Sequence, residues 1–172
     1  EKGYDVILAY GMMPECIASN KNATSCESKN STRYKGKLIN VSVPKDYKLW
    51  EEVCYEYTKH IVDRYGMEVV SKWRMQCFNE PDIPAFFLSE YNWDVEPTMK
   101  YRLPLYCQMY AAFERGIRRV SDEIKIGGPA LALSFEFLGG WLDYVKENNL
   151  KLDFISVHNY GCSPHQTPYM VQ

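Results

Sequence analysis

Trp73-Arg74-Met75-Gln76-Cys77-Phe78-Asn79-Glu80-Pro81-Asp82 joins a strand-like run to a carboxyl group and a proline, and the fold is read outward from it. Residues 73–78 are predicted as a strand. Pro81 fixes its own φ and biases Glu80 toward extended backbone, so the strand stops there with its carboxyl group at the rim where a sheet meets its loops. Asn79 adds a neutral amide that both donates and accepts hydrogen bonds. Such a pair suits general acid/base work on an uncharged polar substrate. Alone, Asn-Glu-Pro also reads as a strand end followed by a turn, because three residues recur by chance.

Strands and helices alternate on both sides of this run. Upstream, residues 4–10 form a short apolar strand between Gly3 and Gly11. Residues 14–43 follow as a polar loop, of a length usually tied to function. Pro44 then opens a helix, with Ser42 or Val43 at the cap position. Tyr47, Trp50, Val53, Cys54, Tyr57 and Ile61 keep helical spacing and mark its buried face, and Gly66 is its stop. Downstream, a loop over 81–97 leads to a helix over 98–120. Pro104 inside it predicts a kink or a start near Leu103. A strand over 124–127 runs into Gly128-Pro129-Ala130. A helix over 135–148, weakened at Gly139-Gly140, precedes a strand over 152–158.

Four strands joined by three helical crossovers require parallel pairing and right-handed connections. That pattern permits a doubly wound sheet or a (β/α)8 barrel. No G-x-G-x-x-G follows the first strand, which counts against a dinucleotide fold. Glu80 and His158 both stand at carboxyl ends of strands, where either architecture builds its site. A full barrel needs about 250 residues, so four strands would be only the middle of one. No second domain and no internal repeat is visible.

Composition narrows the chemistry. The chain has 172 residues, net charge −2 and 15% aromatic residues, among them 14 Tyr and 4 Trp. Aromatic rings suit sugar stacking, although core packing accounts for most of them. The absence of a basic stripe argues against a nucleic-acid partner. No apolar stretch approaches the roughly 20 residues that cross a bilayer, so no membrane role is expected. The chain opens at Glu1-Lys2-Gly3 without Met or a signal-peptide pattern, and its N-terminus reads as cut. Six cysteines (16, 26, 54, 77, 107, 162) form no C-x-x-C pair, and three histidines (60, 158, 165) form no H-E-x-x-H. A metal site is therefore unsupported. Cys54, Cys77 and Cys107 fall in predicted elements and read as buried thiols. Cys16 and Cys26 share the long loop with three N-x-S/T sequons at Asn22, Asn30 and Asn40. In a secreted protein the two thiols could pair and the sequons carry glycans, a weak lean toward secretion.

A set of short motifs then stands in a fixed order. It comprises Gly11-Met12-Met13-Pro14-Glu15, Asp46-Tyr47-x-x-Trp50, Arg64-Tyr65-Gly66, Trp73 with Asn79-Glu80-Pro81-Asp82, Gly127-Gly128-Pro129-Ala130, and residues 153–160 (DFISVHNY). From about residue 4 to 161 this set resembles glycoside hydrolase family 39, the β-xylosidase and α-L-iduronidase family of retaining (β/α)8 glycosidases. The resemblance implies a partial catalytic barrel holding about the third to sixth strands, with its N- and C-terminal parts missing. It implies Glu80 as acid/base, Asn79 as the contact to the sugar 2-hydroxyl, and His158 and Tyr160 in the sugar subsite. The family's nucleophile is a second glutamate after the seventh strand, beyond Gln172, so residues 1–172 alone are expected to be inactive. The implied partner is a carbohydrate substrate, and no cofactor is implied.

Within the family, Met13-Pro14 and Asp46-Tyr47-x-x-Trp50 lean toward a β-xylosidase acting on xylo-oligosaccharides. Residues 70–73 (VSKW) and Asp82 look closer to iduronidase. Phe78 stands where the family usually has Trp. Glu90, Asp94 and Glu96 read as solvated charge. A non-catalytic carbohydrate-binding barrel and an unrelated doubly wound protein are the alternatives to a hydrolase.

Overall fold

The computed structural model describes residues 4–23, 39–83, 86–88 and 98–159. Its elements alternate as the sequence predicts, apart from one added helical turn, α2: β1 (Ile7–Tyr10), α1 (Tyr47–Tyr65), α2 (Met67–Val70), β2 (Arg74–Cys77), α3 (Thr98–Arg118), β3 (Lys125–Leu131), α4 (Phe135–Glu147) and β4 (Phe154–Val157). The strands pair in parallel in the order β1-β2-β3-β4. A doubly wound sheet reverses its order at a switch point, and this one does not. Right-handed crossovers in unbroken order place every connecting helix on the same face. Accordingly α1 packs on α3 and α3 on α4 in one layer. The described sheet is a segment of barrel wall.

The core lies between that helix layer and one face of the sheet. Met75 and Ile126, register partners on β2 and β3, are fully buried there. Trp50 and Cys54 of α1, Tyr106, Tyr110 and Phe113 of α3, and Phe137 and Trp141 of α4 close over them. Tyr110 meets Trp141 edge to face at 5.0 Å between ring centroids, a favoured aromatic geometry.

Several element ends differ from the sequence reading. Pro44 does not open α1, because it forms an antiparallel bridge with Ala18. Asp46 caps the helix instead, its carboxylate accepting from the Lys48 N–H at 2.8 Å. Gly66 ends α1 as predicted, with φ of 82°. The single turn α2 then buries Val70. Helix α3 starts at Thr98 and runs through Pro104. There it forgoes the bond that an N–H would make to the Lys100 carbonyl. Strand β3 is longer than expected. It continues through a cis Gly128-Pro129 peptide to Leu131, with a register shift between Pro129 and Leu131.

The two described ends of the 14–43 loop are built into the fold. Met13, Ile17, Ala18, Ala23 and Val41 are buried, and the Val41 N–H donates to the Ala23 carbonyl at 2.9 Å. Asn40, one of the three sequons, is 8% exposed. Its Nδ2 donates to the Asn20 carbonyl at 2.8 Å, and its Oδ1 accepts from the Ser42 amide and hydroxyl. A glycan must leave through Nδ2, so a modified Asn40 could not keep this burial. We expect peptide mapping of the native protein, secreted from eukaryotic cells, to find Asn40 bare; a glycan there would contradict this packing. Asn22 is exposed, whereas Asn30, Cys26 and Cys162 lie outside the described residues.

Candidate active site

The site forms where β2, β3 and β4 end. Beyond Cys77 the backbone turns sharply: Phe78 has φ of 62° and Glu80 of 47°, and on β3 Ala130 has φ of 54°. The extended Glu80 expected from Pro81 is therefore not what forms. The Glu80 N–H donates sideways to the Ala130 carbonyl at 3.1 Å, and its own carbonyl accepts from Ile83 at 3.3 Å. These bonds impose the left-handed region, because the bias before proline acts against right-handed helix and leaves positive φ open. Three non-glycine residues held at positive φ store local strain of the kind concentrated at functional sites.

The turn delivers a buried carboxyl group. Glu80 is 7% exposed, and its Oε1 lies 2.5 Å from Nδ1 of His158. His158 extends just past β4 and is half-buried, its backbone N–H donating to the Leu131 carbonyl at 2.7 Å. Either the Nδ1–H donates to the carboxylate or the carboxylic acid donates to Nδ1. In both arrangements Oε1 is engaged by the ring, and Oε2 is the carboxyl oxygen outside this contact. Of the residues singled out from sequence, the structure thus joins Glu80 and His158. Asn79 is half-buried at the same strand end. Tyr160, Glu90, Asp94 and Glu96 lie outside the described residues.

Three side chains that support this rim had no site role assigned from sequence. The Ser156 hydroxyl donates to Oε1 of Gln76 at 2.7 Å and accepts from the Ala130 N–H at 3.0 Å, spanning from β4 to β2. Nε2 of Gln76 donates to the Phe78 carbonyl at 3.4 Å. Asp82, 2% exposed, accepts from the backbone N–H groups of Ala132, Leu133 and Ser134 at 2.9, 2.7 and 2.9 Å. Gln76 was visible as a polar residue in an otherwise buried strand. The partners of Asp82 lie some 50 positions away, beyond any local pattern.

Below the rim the packing is apolar. Phe78 is fully buried and meets Phe87 edge to face at 5.3 Å, so it packs where the family resemblance left a stacking role open. The Tyr106 hydroxyl donates to the Cys77 carbonyl at 3.0 Å and fastens the end of β2. Burial pushes this phenol and the Cys77 thiol far above their ordinary ranges, so both stay protonated. Among the described residues, no group of three or more His, Cys, Asp or Glu is placed to hold a metal ion, and no helix is long and apolar enough to cross a membrane.

The model of the family described as Glycosyl hydrolases family 39 matches residues 2–171. The chain belongs to this family. A β-xylosidase of Caldicellulosiruptor saccharolyticus is 32% identical over 93% of the chain and 28% of its own length. The human α-L-iduronidase is 28% identical over 65% of the chain and 18% of its own length. Among solved structures, the GH39 enzyme of Xanthomonas axonopodis pv. citri superposes with a TM-score of 0.71 at 26% identity, covering 90% of this chain and 26% of that one. The chain thus spans less than a third of the length of these family 39 relatives. Its parallel α/β sheet is a fragment of the family's (β/α)8 barrel.

Proposed function

We propose that the full-length protein carrying this chain is a retaining glycoside hydrolase that cleaves terminal β-xylosidic bonds of xylo-oligosaccharides, with Glu80 as its general acid/base. The observation that carries the reading is the buried Glu80 carboxyl group at the end of β2, in contact with the His158 ring at the end of β4. Among the relatives, the β-xylosidase match extends over more of the chain and at higher identity than the iduronidase match, which favours xylose as the sugar.

In this mechanism a second carboxylate, supplied from outside these residues, lies about 5 Å from Glu80 across the glycosidic bond and attacks the anomeric carbon. Glu80 protonates the leaving oxygen as the bond breaks. With Oε1 engaged by His158, the proton delivered to substrate is carried on Oε2. Glu80, now a carboxylate, then takes a proton from water, which attacks the glycosyl-enzyme and releases the sugar with retained configuration. Asn79 holds the 2-hydroxyl, a bond that strengthens as oxocarbenium character develops. His158 and Tyr160 line the sugar subsite. The four strands stand as about the third to sixth of the barrel.

The test is to incubate the full-length protein with aryl β-xyloside and aryl α-L-iduronide and follow the anomeric configuration of the first product by NMR. Xyloside cleavage with retention is expected. Preference for the iduronide would move the assignment to the iduronidase branch. Binding without turnover of either would make this a carbohydrate-binding barrel.

A further inference from the structure

We propose that Asp82 and Ser156 are positioning residues that set the Glu80–His158 contact by gripping, from two sides, the segment that leads out of β3 toward α4. The inference rests on the functional reading above. Two consecutive carbonyls of that segment hold the pair: Ala130 accepts the Glu80 N–H at 3.1 Å, and Leu131 accepts the His158 N–H at 2.7 Å. Whatever fixes residues 130–134 therefore fixes both functional side chains relative to each other.

The segment is not an ordinary strand end. Ala130 sits at φ of 54°, and the pairing with β4 shifts register between Pro129 and Leu131. Backbone in this region is costly for alanine and persists only where its surroundings hold it. Side chains supply the hold. The Ser156 hydroxyl takes the Ala130 N–H, and the Asp82 carboxylate takes those of Ala132, Leu133 and Ser134. Bonds to an ionised acceptor are the stronger kind, and Asp82 is almost fully buried. The placement is paired along the chain. Asp82 follows Glu80 by two residues, and Ser156 precedes His158 by two, so each functional residue has a near neighbour in the chain gripping the shared segment.

Asp82 and Ser156 act on the backbone that holds Glu80 and His158, so loosening the grip lengthens the Glu80–His158 contact. The loss then falls chiefly on proton delivery to the leaving group. Misplacing a catalytic group by about 1 Å costs on the order of 10²-fold.

The test uses the full-length protein with Asp82→Asn, Ser156→Ala, Ser156→Thr and, in parallel, Glu80→Gln. Each is assayed on xylobiose, a poor leaving group, and on 4-nitrophenyl β-xyloside, a better one. For Asp82→Asn and Ser156→Ala we expect kcat on xylobiose to fall by about 10–10²-fold. In kcat/KM, which reports the first step alone, the aryl substrate should lose much less; the pH profile of kcat/KM should shift, and Ser156→Thr, which keeps the hydroxyl, should restore both readouts. Equal losses on the two substrates, or an unshifted pH profile, would show that these residues serve folding alone. If Asp82→Asn does not fold, Ser156→Ala decides, since it removes one hydroxyl. If Glu80→Gln itself loses nothing, the functional reading fails and the positioning role falls with it.

Discussion

Glu80→Gln in the full-length protein is expected to lower turnover of xylobiose by about 10²–10⁴-fold, the usual contribution of a positioned acid/base. The substitution keeps the size of the side chain and leaves an amide that can still bond Nδ1 of His158. Folding and sugar binding should therefore survive, and the loss should be chemical. Its signature is selective. An aryl xyloside with a good leaving group needs little protonation as its bond breaks, so its first step should lose far less than that of xylobiose. Steady-state and single-turnover rates on the two substrates separate these cases. Equal losses on both, or no loss, would remove Glu80 from the acid/base role.

What the sequence showed about this site follows from the range of the interactions that make it. Helical spacing of Trp50, Cys54 and Ile61, or of Phe137 and Trp141, is local, and these residues do form the buried faces of α1 and α4. The positions of Glu80 and His158 at strand ends are equally local. That the strands stand in chain order is not local, and the alternation alone left a doubly wound sheet open until the motif resemblance and then the observed order decided it. Caps failed where a distant partner intervened: Pro44 is drawn into a bridge with Ala18, so Asp46 starts the helix. Glu80 departs from the extended backbone for the same reason, its N–H claimed by Ala130 of a neighbouring strand. Asp82 stood inside the quoted motif, yet its three donors lie beyond α3. Local rules place side chains at the rim, and long-range bonds decide which of them meet.

The largest structural effect is expected at Gly127, which sits on β3 opposite Phe154 of β4. A Cβ placed there would lie 2.1 Å from the Phe154 carbonyl oxygen and 2.8 Å from its ring. The first of these atoms is backbone, so no rotamer change relieves the clash, and β4 must move away from β3. Forcing extra volume into a packed site costs about 1–3 kcal/mol, and we expect Gly127→Ala to reach the upper end, about 3 kcal/mol. The displacement also reaches the site, because Ser156 and His158 ride on the strand that moves. Gly139→Ala is the control. It lies in α4 with nothing within 4 Å of its would-be Cβ. There alanine removes only the flexibility of glycine and should stabilise by about 0.5–1 kcal/mol. Denaturant titration of the full-length protein should therefore shift in opposite directions for the two variants, with activity falling only in Gly127→Ala. A Gly127→Ala protein as stable as the parent would show that β3 and β4 are not packed as closely as the structure has them, and the support proposed for His158 would have to be sought elsewhere.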